Sequence, residues 1–308
     1  MSKPRLLITG VSGLLGSNLA RYFCASHDVF GLYHQHPIVI DGVRILPCNL
    51  LEAASVGRVI RDIRPDSIVH CAAIADIDRC EEARALAHEM NVGAACRVAD
   101  AAQKSGVYLM HISTDNVFDG RKGDYVEGDP VGPLSYYAET KAEAERALLG
   151  YQECSIMRTS FYGSGGGTKR SLIEWAVGEI SLGHQINGFT DAITSNIYVM
   201  DLARMIEAVL ERRLAGLYHA ACRNARSKYD FLNDLVGHAG QDKALVVPCS
   251  VDAFSFKAKR PKNIGLNVGK LMARIGSEFF PSSEDSLAHL ARDCRFVHGF
   301  RGISQGKH

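Results

Sequence analysis

Within the first 20 residues a short apolar run, RLLIT, leads directly into TGVSGLLGSNLA, where Gly10, Gly13 and Gly16 stand at G-x-x-G-x-x-G spacing ahead of a segment of helical period. Few backbones accept three glycines placed in this way. One permits a tight turn, a second lets the main chain come close to a pyrophosphate, and a third allows helix and strand to pack. The helix N-terminus then offers N–H groups and a partial positive charge. A strand before and a helix after are the context that separates a dinucleotide loop from an ordinary turn.

The same alternation continues. DVFGLY, VRILPC, SIVHCAA and VYLMHIS read as strands, while 14–24, 53–63 and 81–103 carry apolar residues at helical spacing. SIVHCAA and VYLMHIS are apolar enough to be buried on both faces. Strand and helix in turn predict right-handed βαβ units on a parallel sheet. Pro65 ends the second helix through its steric demand on the residue before it. CSIMRTS gives a sixth strand, DLARMIEAVLE an amphipathic helix and GLYHAA another strand. The expected fold is α/β, a Rossmann-type doubly wound parallel sheet with a smaller mixed C-terminal region. Residues 1–162 form the dinucleotide domain, 163–308 are mainly substrate-binding, and a strand at 216–221 returns to the first sheet. The Gly- and Pro-rich segment 119–133 is long enough for a binding loop, and GSGGGTK reads as a flexible turn.

Composition narrows the partners. With 308 residues and a formal charge of +1, the chain has no basic footprint for nucleic acid, and no apolar run approaches a membrane span. MSKPRLLITG enters a strand without a signal-peptide core. Nine cysteines form no C-x-x-C pair. Cys24, Cys71 and Cys154 lie in apolar segments where a thiol packs as a small hydrophobe. A cytoplasmic protein acting on small molecules is expected. Metal-ligand spacing is absent, so His111 and His219 read as packed core residues.

In SYYAETK, residues four apart share a helical face, so Tyr137 stands over Lys141 and Tyr136 does not. A carbonyl reduced by hydride needs a proton donor at its oxygen. Tyrosine, with an ordinary pKa near 10, donates better when an ammonium stabilises its phenolate. A hydroxyl to hold the same oxygen is offered by Thr114, at the end of a buried strand where open α/β sheets place their ligands. An acid about 20 residues past the glycines would hold an NAD ribose. The second strand ends instead in Tyr33, His34 and His36, which favours NADP.

Taken in order, TGVSGLLGSNLA, HCAAIADIDRCEE with Asn91 in MNV, STDNVFDG, PLSYYAETKAEAE, IMRTSFYG, YVMDLA, GLYHAA and KRPKNIGLN resemble the extended short-chain dehydrogenase/reductase superfamily. Within it the chain looks like the dTDP-4-dehydrorhamnose reductase group. The resemblance implies Thr114, Tyr137 and Lys141 as the catalytic positions, with Lys141 also on the nicotinamide ribose. It places Gly10, Ser12, Gly13, Leu14, Leu15 and Gly16 on the pyrophosphate, Asn49 and Leu50 on the adenine, and Ala72, Ala73, Ile74 and Asn91 along the cofactor. Tyr33 and His34 would meet the adenosine end. Ala75, Asp76, Asp115, Asn116, Phe161 and Asn196 would face a nucleotide-sugar, with Lys257, Lys259, Arg260 and Lys262 drawing its diphosphate. Superfamily members dimerise through two long helices, here 81–103 and 135–149.

The departures concern the sugar. Asn116 stands where such reductases carry tyrosine and related dehydratases carry glutamate, which argues against dehydration. Phe161 replaces a tryptophan, Ala75 a threonine, and Ser195 to Ile197 an S-P-T. The expected activity is NADPH-dependent reduction of a 4-keto-6-deoxy nucleotide-sugar. The alternatives are a non-catalytic regulatory subunit resembling the methionine adenosyltransferase β subunit, and a nucleotide-sugar epimerase or dehydrogenase.

Overall fold

Seven consecutive residues of the strand YLMHIST are buried, and a strand buried on both faces needs helices above and below it. The computed structural model describes residues 3–165 and 170–293 and meets that need. β1 (Arg5–Thr9), β2 (Asp28–Tyr33), β3 (Val43–Pro47), β4 (Ser67–His70), β5 (Tyr108–Thr114), β6 (Cys154–Thr159) and the strand Gly216–His219 form one parallel sheet. Its order is Gly216–His219, β6, β5, β4, β1, β2, β3. The chain therefore winds outward from β1 in one direction and then from β4 in the other. β1 and β4 are thus the switch point of the winding, and doubly wound sheets bind ligands at the carboxyl edge beside such a point.

The two faces have separate cores. α1 (Leu14–Phe23) buries Leu15, Leu19 and Phe23 on one face, beside Leu202, Ile206 and Val209 of a later helix. On the other face α2 (Ala53–Ile63) buries Val56, Ile60 and Ile63, three residues on one helical stripe. The chain leaves α2 through Arg64, whose left-handed φ of 50° reverses direction before Pro65.

The single helix expected over 81–103 is not formed. α3 (Ile77–Glu82) ends at Ala83 (φ −129°, ψ 56°), α4 (Arg84–His88) follows, a π turn occupies Glu89–Gly93, and α5 (Ala94–Ser105) resumes the helix. The π turn has a cause. It carries Asn91 inward, where the side chain accepts from Ile74 N (2.8 Å) and donates to Ile74 O (3.1 Å) and Thr140 Oγ1 (3.0 Å). α6 (Tyr136–Leu148) follows the 119–133 segment. That segment is tied down: Tyr125 stacks on Phe118, its N–H reaches Gly265 O, and Gly132 N reaches Val117 O. The GSGGGTK turn falls partly on 166–169, outside the described residues.

Beyond β6 come α7 (Leu172–Ser181), α8 (Val199–Glu211) and α9 (Lys228–His238), with three two-stranded ribbons. Among the described residues no helix is long and apolar enough to cross a membrane, and the eight cysteines are free thiols.

α6 is held to the sheet by charge. Glu145 takes three hydrogen bonds from Arg158 of β6, the shortest 2.7 Å, and one from Ser113 of β5, with both ionic side chains 4% exposed. Arg158→Met leaves a buried carboxylate without its cation. The expected cost is about 3–5 kcal/mol, measured by urea unfolding. A loss below about 1 kcal/mol, the range of exposed pairs, would show that the pair does not anchor the helix.

Candidate active site

The glycine loop leaves β1 with Gly10 at φ +67°, and a Cβ there would lie 2.8 Å from Ala72 N and Cα. Only glycine lets the loops after β1 and β4 approach this closely. A Cβ on Gly16 would lie 2.4 Å from Gly10 O. Gly13 occupies the N-cap of α1, and no side chain caps that terminus. Ser12 precedes that cap, and Leu14 and Leu15 are the first residues of α1, so the uncapped N–H groups of the helix start lie in the glycine turn.

Tyr33 ends β2, half-buried, with His34 exposed beyond it. Asn49 and Leu50 follow β3 alongside, Asn49 being fixed by Glu52 (2.8 Å) and by Leu51 N (3.1 Å). Ala72, Ala73 and Ile74 extend from β4 and are half-buried. Asn91 lies behind them, its amide engaged with Ile74 and Thr140, so it braces the loop from beneath.

Thr114 closes β5 and is buried. Ser135 caps α6 by accepting from Ala138 N (3.3 Å), which sets where the helix starts. Of the two tyrosines, Tyr136 lies under the Arg84 guanidinium, 4.7 Å from ring centroid to Cζ, and its N–H is held by Glu81. Tyr137 approaches the Thr114 hydroxyl. Burial pushes the Tyr137 phenol well above its usual range, and the Thr114 hydroxyl pulls the other way.

The expected support from Lys141 is not made in this state. Lys141 is buried and its ammonium donates to Ile112 O (2.7 Å) and lies 3.0 Å from His111 Nε2, with no hydrogen bond to Tyr137. Desolvation lowers the lysine to about 8, against Glu145 and Cys71, which raise it. The lysine faces the sheet because the β5 carbonyl offers a strong acceptor at close range, whereas a neutral phenol has less to give.

A cavity of about 460 Å³ opens beside this group. Asp115, Asn116, Phe161 and Asn196 line it, together with Leu14 of the glycine loop. Ala75 and Asp76 are exposed and are not among its walls, and Asp76 caps α3 instead. Burial raises Asp115 to about 6, although Thr114 and Asn116 hydrogen-bond to it and Lys228 lies near. The expected basic patch is largely self-neutralised. Lys257 pairs with Glu82, Arg260 with Asp78 (3.0 Å), and Lys262 with Asp191 (3.2 Å) and Asp252. Sequence reasoning missed Lys228, Ser160, Phe189 and Phe256 on the cavity wall. Nothing in ARSKYDFL sets Lys228 apart from a surface helix start.

The comparisons agree with this fold. Residues 4–295 match the RmlD substrate binding domain family. The dTDP-4-dehydrorhamnose reductase of Aggregatibacter actinomycetemcomitans is 30% identical over 287 residues, 88% of this chain and 93% of that one. Methionine adenosyltransferase 2 subunit beta of Danio rerio is 28% identical over 278 residues, 87% of this chain and 84% of its own. Among solved structures, the dTDP-4-dehydrorhamnose reductase of Bacillus anthracis in complex with NADP superposes with a TM-score of 0.80 at 28% identity, covering 94% of this chain and 98% of that one.

The crowded loop gives a direct test. Gly10→Ala adds a methyl where φ is positive and the Ala72 backbone is in contact. Strain of about 1–3 kcal/mol is expected to weaken binding of a reduced nicotinamide dinucleotide roughly tenfold or more, followed by nucleotide fluorescence. Unchanged affinity in the folded variant would remove this loop from the binding site.

Proposed function

The chain belongs to the RmlD substrate binding domain family, and from that membership and its site we propose an NADPH-dependent reductase of a 4-keto-6-deoxy nucleotide-sugar. One observation carries the reading. The glycine cradle after β1 and the Thr114, Tyr137 and Lys141 group at β5 and α6 open at the same carboxyl edge, with a cavity between the glycine loop and Asp115. That arrangement supports a dinucleotide on the glycine loop with its reactive end toward a second ligand in the cavity.

When bound, the nicotinamide supplies a hydride to the keto carbon. The chain does the remaining work. Thr114 holds the carbonyl oxygen and Tyr137 delivers a proton to it as negative charge develops, a contribution typically worth about 10²–10⁴ in rate. Lys141 stabilises the resulting phenolate through its remaining N–H. The lack of a carboxylate at the tip of β2, where Tyr33 and His34 stand, supports NADP over NAD, since a 2′-phosphate meets no negative charge there.

The likeness to methionine adenosyltransferase 2 subunit beta supports a second reading, a regulatory subunit that binds the nucleotide and acts on a partner enzyme. NADPH oxidation with dTDP-4-keto-6-deoxyglucose and its 5-epimer separates the two. Turnover is expected, with Tyr137→Phe lowering kcat by about 10² or more while NADPH binding persists. Tight NADPH binding without turnover on either substrate would favour the regulatory reading.

A further inference from the structure

Three polar side chains cross the middle of the sheet in register: Thr9 of β1, His70 of β4 and His111 of β5. All are buried. Thr9 Oγ1 is 2.7 Å from His70 Nδ1, the two imidazoles stack with centroids 5.4 Å apart, and His111 Nε2 is 3.0 Å from Lys141 Nζ. A polar row through a sheet centre is costly unless its groups have work to do.

An ammonium has three donors and no acceptor. One Lys141 donor goes to Ile112 O and a second to His111 Nε2. That leaves one. For Nε2 to accept, the His111 proton must sit on Nδ1, and Nδ1 is buried without a partner. The ring tolerates an orphaned donor so that its lone pair can face the lysine. Burial, with Lys141 and His70 adding to it, holds His111 well below its ordinary pKa, so the imidazole remains a neutral acceptor at working pH.

We propose that His111 is a positioning residue of the reductase site: it fixes the Lys141 ammonium on β5, keeps it protonated, and leaves a single N–H for the phenolate or the cofactor ribose. The role deepens the reading above and rests on it only for the catalytic consequence. The other ionisable groups that act on Lys141 or feel its charge are Cys71 after β4, His70 of β4 and Glu145 of α6. Glu145 is itself engaged by Arg158.

The sign follows from the charge. Removing the acceptor destabilises the ammonium, so the lysine pKa falls below its present value of about 8. Activity that needs the ammonium is then lost at lower pH. In the full chain without substrate, ¹³C-lysine NMR, with Lys141 assigned through Lys141→Arg, reads the pKa directly. In His111→Leu it is expected to drop by about one unit, the scale of one buried hydrogen bond to a charged group. In His111→Gln, whose amide oxygen accepts, it is expected to stay near the native value. The high-pH limb of kcat should move with it while KM stays unchanged. An unshifted Lys141 in His111→Leu reduces His111 to packing and overturns the proposal. ¹⁵N NMR of the native protein decides the same point without a variant: a proton on Nδ1 supports it, and a proton on Nε2 overturns it. Lack of turnover with keto sugars would count against the reductase reading alone, because both titrations are read without substrate.

Discussion

A carboxylate taken out of water costs several kcal/mol unless a cation and further donors meet it, and Glu145 is buried with both, Arg158 from one strand and Ser113 from the next. The positions of Tyr137 and Lys141 on α6 are measured from that anchor. Tyr137, Lys141 and Glu145 are spaced i, i+4, i+8, a single stripe along the helix. Fixing the last sets the height and rotation of the other two over β5. Ser135 at the N-cap completes the constraint by determining where the helix begins, one residue before Tyr136 and two before Tyr137.

The opposite wall is governed by backbone proximity. Gly10 lets the loops after β1 and β4 touch, and Asn91 ties the second of these loops to Thr140 of α6. The loop after β4 and the helix α6 are thus joined through one buried amide. The same amide bends its own helix into a π turn, a local irregularity maintained by tertiary hydrogen bonds.

Much of this was legible in the sequence because it is local. The glycine triplet, the alternation of strand with helix, and the Tyr137–Lys141 spacing all rest on periods of a few residues. What was not legible depends on distant pairing. The basic run at 257–262 looks like an anion site until Glu82, Asp78 and Asp191 arrive from elsewhere in the chain. The helix at 81–103 looks continuous until Ile74 claims Asn91. His111 looks like core filling, and only the strand register that sets it beside His70 and under Lys141 gives it a different meaning. A second histidine at the matching position of the neighbouring strand was the one available hint.

The 119–133 segment leaves the end of β5 and ties itself to Gly265, while Gly120 packs against Pro261 and Lys262. The cavity wall at Arg260 and Pro261 therefore hangs from a surface loop, whereas the glycine turn hangs from the sheet. Selection can act on the two separately. Exchanges in the loop and its partner segment can therefore reshape the cavity wall at Arg260 and Pro261 without touching the glycine turn after β1.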